Sequence, residues 1–230
     1  MHSLLHFLWL KKIFLAAFLF NCVGCSKINN EQYEQQPFTK DPLKVLMEGN
    51  MRFAEMKPVH PDEDVYRLRS VTREQHPFAV IVSCSDSRVS PELIFDQGIG
   101  DLFTIRTAGN IIGNVGLGSI EYAVEHLQVK FILILGHERC GAVDAFVQGD
   151  NAPGHIRDII DSLKAEMEIK AIPYKNPNRL DDCVKANVEH GIRQLTTQSE
   201  MIREKIQRNE LRIVGGRYDL DNLKVELIHQ

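Results

Sequence analysis

Residues 78–83 (FAVIVS) and 130–135 (KFILIL) are apolar at nearly every position, and residues 102–106 (LFTIR) form a shorter run of the same kind. Runs of this length without alternation predict strands buried on both faces, as in a parallel sheet. Between and after them the apolar period lengthens. Residues 115–127 and 140–148 read as helices, and 156–168 and 181–208 contain long helical stretches. Residues 211–217 and 224–228 read as closing strands. Upstream, Leu43, Val45, Leu46, Met51, Phe53 and Met56 recur at roughly helical spacing, which predicts an amphipathic helix over 41–57. Residues 58–76, with Pro58 and Pro61, read as a loop holding a short helix. Strands alternating with helices predict an α/β fold: a mainly parallel sheet of about four strands plus a C-terminal strand, flanked by helices.

The first 40 residues follow another pattern. Lys11 and Lys12 precede an apolar run over 13–20, about the length of a signal-peptide core and too short to span a bilayer. Cys22-Val23-Gly24-Cys25-Ser26 follows, and Gly24-Cys25 resembles a bacterial lipobox, with Cys22 where leucine is usual. The expected organisation is a lipoprotein-type signal over 1–25, a polar tether over 26–40 and a single domain over 41–230. That places the protein outside the cytoplasm, in the periplasm or anchored to a membrane through lipid on Cys25. The alternative is an uncleaved helix on the membrane surface.

Composition supports one sizeable domain, with 43% hydrophobic residues among 230. Without the first 25 residues the chain has 25 basic and 31 acidic side chains, a net charge of −6. Such a domain does not attract nucleic acid, and the only expected membrane contact is through the N-terminus. Three cysteines remain there, Cys84, Cys140 and Cys183. An odd, widely spaced set is not a disulfide framework.

Two predicted strands end in metal-binding side chains. The first runs into Cys84-Ser85-Asp86-Ser87-Arg88, the other into Gly136-His137-Glu138-Arg139-Cys140-Gly141. Loops at the carboxyl ends of parallel strands form the binding crevice of an open sheet, so neighbouring strands bring Cys84, His137 and Cys140 together. Two thiolates and an imidazole suit Zn²⁺, and three protein ligands leave a fourth position for water. Taken singly, each motif is weak, because a buried cysteine usually packs as a small hydrophobe. Asp86 and Arg88 can equally be a surface ion pair in a turn, and Ser85 and Ser87 suit turn hydrogen bonding. Gly109, Gly113, Gly116 and Gly118 do not match the dinucleotide-binding order and read as tight turns lining the crevice. His126, His155 and His190 read as surface residues, and Cys183 as packed.

The pair of strand-end motifs resembles the signature of the β-carbonic anhydrases. Gly49-Asn50-Met51-Arg52-Phe53, Arg106-Thr107-Ala108-Gly109-Asn110, Ser119-Ile120-Glu121-Tyr122-Ala123 and the segment 215–225 resemble further segments of that family, so the likeness covers about 40–230. The resemblance implies reversible hydration of carbon dioxide to bicarbonate and a proton. It makes Cys84, His137 and Cys140 the zinc ligands and Asp86 and Arg88 the catalytic pair, with Gly109 on the substrate side. Gln75 matches a glutamine that in part of the family points into a partner subunit's active site, which implies a homodimer or larger assembly. Some members close the site by coordinating the aspartate, here Asp86, to zinc. Zinc lowers the pKa of bound water to about 7, and the hydroxide so formed attacks carbon dioxide. Glu138 and Arg139 depart from the serine or threonine common after the family's histidine. Two rivals are a zinc- or bicarbonate-binding module without turnover and a thiol redox protein. The second is disfavoured because the domain has no Cys-x-x-Cys.

Overall fold

Of the five strands among the described residues, β1 (Ala79–Cys84) and β3 (Phe131–His137) are buried at every residue, as their unbroken apolar runs require. They lie side by side in a sheet of order β2-β1-β3-β4-β5, where β2 is Leu102–Thr107, β4 Arg212–Tyr218 and β5 Val225–His229. The first four strands are parallel, and β5 returns antiparallel to β4. The computed structural model describes Phe38, residues 40–149 and residues 152–229. The expected signal over 1–25 and nearly all of the tether over 26–40 lie outside those residues. The chain divides into the units Met1–Gln36 and Pro37–Gln230, and the whole sheet belongs to the second. No helix among the described residues is long and apolar enough to cross a membrane.

Side chains alternate across the sheet and build a core on each face. Val80, Val82, Ile132 and Ile134 point to one side, under α4 (Asn114–Glu125), α8 (Arg179–Gln198) and α9 (Glu200–Gln207). Ile81, Leu133, Leu135 and Val214 point to the other, with Leu46 of α1 (Pro42–Ala54), Ile94 of α3 (Pro91–Ile94) and Phe95. A third cluster joins Cys84 and Cys140 to Val143 of α5 (Gly141–Gln148), Leu163 of α6 (Ile156–Ala165), Ile169 of α7 (Met167–Lys170) and Val184 of α8. The expected loop over 58–76 does contain a short helix, α2 (Val65–Ser70).

The helical stretches break at Ser199 and Glu166, and at Ser199 a side chain takes over backbone bonding. Ser199 separates α8 from α9: its Oγ accepts from the Ile202 amide at 3.3 Å and donates to Glu121 at 2.6 Å. Glu166 separates α6 from α7. The apolar stripe read for α1 is only partly buried. Met51 and Met56 are exposed, and the face turned inward is Leu46, Gly49 and Asn50. A β-carbon on Gly49 would sit 1.7 Å from the Phe95 carbonyl oxygen, so only glycine lets α1 approach α3 this closely.

Candidate metal centre

Register brings the two motifs together. In the β1–β3 pairing Ser83 faces Leu135, so Cys84 and His137 leave the sheet at the same edge, and Cys140 follows as the cap residue of α5. The Sγ atoms of Cys84 and Cys140 and a ring nitrogen of His137 lie within 4.8 Å of one another, and all three residues are buried. The His137 Nδ1 lies 2.9 Å from the Glu138 carbonyl. A proton on Nδ1 donates there and leaves the Nε2 lone pair free. That Nε2 is buried and has no hydrogen-bond partner among the described residues. An unpaired buried polar atom costs about 1–3 kcal/mol, so the arrangement calls for an electron-pair acceptor at Nε2.

The sulfurs are prepared in the same sense. Cys84 Sγ accepts from the backbone amides of Asp86 at 3.4 Å and Gly109 at 3.3 Å. Bonding from the Cys140 thiol, with smaller help from the two amides, outweighs burial and draws the Cys84 thiol down. Cys140 is pushed up by the same contact and by burial. Two buried cysteine sulfurs and an imidazole lone pair at this spacing fit a tetrahedral divalent cation of borderline softness.

Asp86 and Arg88 form an ion pair at the rim. Arg88 Nε and Nη2 donate to the two carboxylate oxygens at 2.9 and 2.7 Å, and the Arg88 amide donates to Oδ1 at 2.9 Å. These bonds hold the Asp86 carboxyl well below the usual carboxylate range. Its Oδ2 is 3.8 Å from His137 Nε2, too far for a hydrogen bond and close enough to border the donor group. With both oxygens in the fork of Arg88, Asp86 is engaged away from the three donors.

Gly109 has φ of 68°, the left-handed region that favours glycine, and a β-carbon there would meet Ala142 at 3.1 Å. Its place beside the crevice follows the sequence reading; its amide bond to Cys84 was not legible. Gln75 is exposed in the segment before β1 and makes no hydrogen bond among the described residues. Cys183 is buried and free, as a packing residue should be. The surface reading holds for His126 and His155 and needs correction for His190, which is partly buried, 3.1 Å from Glu168 and beside Arg193.

Sequence reasoning missed the roles of two residues. Arg106, next to last in β2, donates from Nε to the Cys84 carbonyl at 3.1 Å and from Nη2 to the Asp86 carbonyl at 2.8 Å, which fixes the loop between them. Asn187 of α8 donates to the Gly109 carbonyl at 2.7 Å. Arg106 stands in a strand-end segment that drew notice, whereas a polar residue within a helix gives no such signal.

The carbonic anhydrase family model matches residues 79–225, which contain all three donors. The carbonic anhydrase of Mycolicibacterium smegmatis is 40% identical over 188 residues, covering 80% of this chain and 90% of that protein. Carbonic anhydrase 2 of Mycobacterium tuberculosis is 40% identical over 183 residues, covering 78% and 87%. The solved β-carbonic anhydrase CcaA superposes with a TM-score of 0.64 at 27% identity, over 82% of this chain and 92% of that one. The chain belongs to the β-carbonic anhydrase family. A tetrameric β-carbonic anhydrase of the filamentous ascomycete Sordaria macrospora has a similar fold, with a TM-score of 0.63 and 26% identity over 82% of this chain and 98% of that one. For this β-carbonic anhydrase, Cys84, His137 and Cys140 are a metal-binding group at the carboxyl edge of a parallel sheet.

Proposed function

We propose that this carbonic anhydrase hydrates carbon dioxide reversibly to bicarbonate and a proton at a zinc ion held by Cys84, His137 and Cys140. The observation that carries the proposal is the buried, unpartnered His137 Nε2 beside two cysteine sulfurs. Zinc in such a site supplies a water acidic enough to become a nucleophile near neutral pH. The protein's own part is orientation. Asp86 accepts a hydrogen bond from the reacting water and so turns a lone pair toward the substrate carbon. Arg88 keeps that carboxylate ionised and holds it in place. Arg106 fixes the loop that carries both Cys84 and Asp86. Gly109, whose amide bonds Cys84 Sγ, is proposed to lie on the substrate side.

Two further assignments rest on the sequence. Gln75, exposed within the single chain, is proposed to line the site of a neighbouring copy in a homodimer or larger assembly. The tetrameric fungal relative supports such an assembly. The segment over 1–25 is proposed to direct export, with lipid on Cys25 and a final place in the periplasm or at a membrane. Intact-mass analysis of protein from native cells should find a chain starting at a modified Cys25. An unprocessed chain starting at Met1 would contradict it.

Metal analysis combined with stopped-flow hydration tests the central reading. About one zinc per chain and rapid hydration are expected, with both lost in Cys84→Ala and His137→Ala. Full zinc occupancy in both variants would overturn the ligand assignment. Zinc without turnover in the parent would favour a binding module.

A further inference from the structure

Glu138 and Arg139, the two departures from the family pattern, lie between the metal-binding residues His137 and Cys140. Their main-chain carbonyls contact two side chains of the site. The Glu138 carbonyl lies 2.9 Å from His137 Nδ1, and the Arg139 carbonyl accepts from Arg88 Nη2 at 3.5 Å. One peptide segment thus sets both the imidazole and the arginine that restrains Asp86. Arg139 has φ of 51°, in the left-handed region that a side chain disfavours. Something outside the segment must hold it there.

The turn between β4 and β5 does so. Arg139 donates from Nη1 and Nη2 to the two oxygens of Asp221 at 2.9 and 2.7 Å. Glu138 Oε2 accepts from the Leu220 amide at 3.2 Å, and the Glu138 amide donates to the Tyr218 carbonyl at 2.9 Å. The turn is itself fixed. Asp219 Oδ1 accepts from the amides of Asp221 and Asn222 at 2.9 and 3.0 Å. Buried Asn50 of α1 donates to the Leu223 carbonyl at 3.0 Å and accepts from the Val225 amide at 2.8 Å. Glu138, Asp219 and Asp221 together could pass for a cation site. Their carboxylates already face Arg139 and Arg217, so the cluster is bonded within the protein.

We infer that Glu138 and Arg139 are positioning residues: their side chains clip the His137–Cys140 loop to the β4–β5 turn, and their carbonyls thereby aim His137 and Arg88. This inference rests on the proposed metal site. Outer-shell groups that orient a metal-binding histidine typically change metal affinity or activity by about 10–100-fold when removed. Asp221 is exposed on the turn and touches none of the three donors, so Asp221→Ala isolates the clip.

The test uses the full zinc-loaded chain with Arg139→Ala, Asp221→Ala, the double variant and the exchanged pair Arg139→Asp/Asp221→Arg. Zinc loss to excess chelator and the visible spectrum after cobalt(II) replacement are measured. Each single variant should release zinc roughly tenfold faster and shift the cobalt bands. The double variant should be no worse than either single one, and the exchanged pair should regain much of the loss. Parent-like zinc loss and cobalt spectra in both single variants, even with a lower Tm, would overturn the inference and leave the metal assignment standing. Effects that multiply in the double variant would also overturn it. A parent chain that holds neither zinc nor cobalt would refute the metal site itself.

Discussion

At the residue scale, the contact that most directly controls the site is the fork of Arg88 on Asp86. A zinc ion with two thiolates and a neutral imidazole has no net charge, so a freed carboxylate next to it is a competent fourth ligand. Arg88→Ala should let Asp86 swing onto the metal. Zinc should be retained and turnover lost, and a crystal structure of the variant should show carboxylate in the fourth position. A water there, with activity near the parent level, would mean that Arg88 does not act as a restraint. Asp86→Asn should also keep zinc and lower turnover, because the amide does not replace the carboxylate as an acceptor. The three donors and this pair were legible in the sequence because each stands in a short motif directly after an apolar strand. Arg106 and Asn187 were not assigned their roles. They grip main-chain carbonyls, and a carbonyl leaves no mark on the identity of the residue that carries it.

At the element scale, the strands were the most legible part. β1 and β3 are buried on both faces, and burial on both faces is what a continuous apolar run records. The helix breaks were harder, since Ser199 and Glu166 interrupt stretches that read as helical. Glu166 has a testable consequence. Its Oε2 is buried without a hydrogen-bond partner among the described residues, and burial pushes its carboxyl up to about 8. The charged or titratable groups that bear on it are Glu168, which adds to the rise, Arg193, which opposes it, and Cys183. Unfolded glutamate titrates near about 4.3, so the folded chain holds this proton more tightly than the unfolded one. The contribution to stability is therefore complete below about pH 4.3 and declines as pH rises to about 8. Glu166→Gln should match the parent in denaturant unfolding at about pH 4 and below. It should be more stable by a few kcal/mol near pH 8.5. An equal difference at both pH values would show that Glu166 is not protonated in the fold.

At the scale of the whole molecule, the sheet order explains why a site can form from motifs some fifty residues apart. Both motif-bearing strands are central, and β2 and β4 flank them with the loops that complete the rim. The alternation of strands and helices predicted the parallel sheet and its carboxyl-edge crevice. The strand order and the β4–β5 turn that reaches under Glu138 and Arg139 were not predictable in the same way, because they depend on contacts between distant segments. Gln75 belongs to this scale too: it is exposed in the single chain, and the role proposed for it depends on an assembly.

The most direct test is the zinc-edge X-ray absorption spectrum of the purified, unmutated enzyme at neutral pH. The expected result is four-coordinate zinc with two sulfur neighbours at about 2.3 Å and two nitrogen or oxygen neighbours at about 2.0–2.1 Å. One of those light neighbours is His137 and the other a solvent oxygen. A first shell with four sulfurs or none, or a chain that hydrates carbon dioxide at full rate without bound metal, would contradict the Cys84–His137–Cys140 centre.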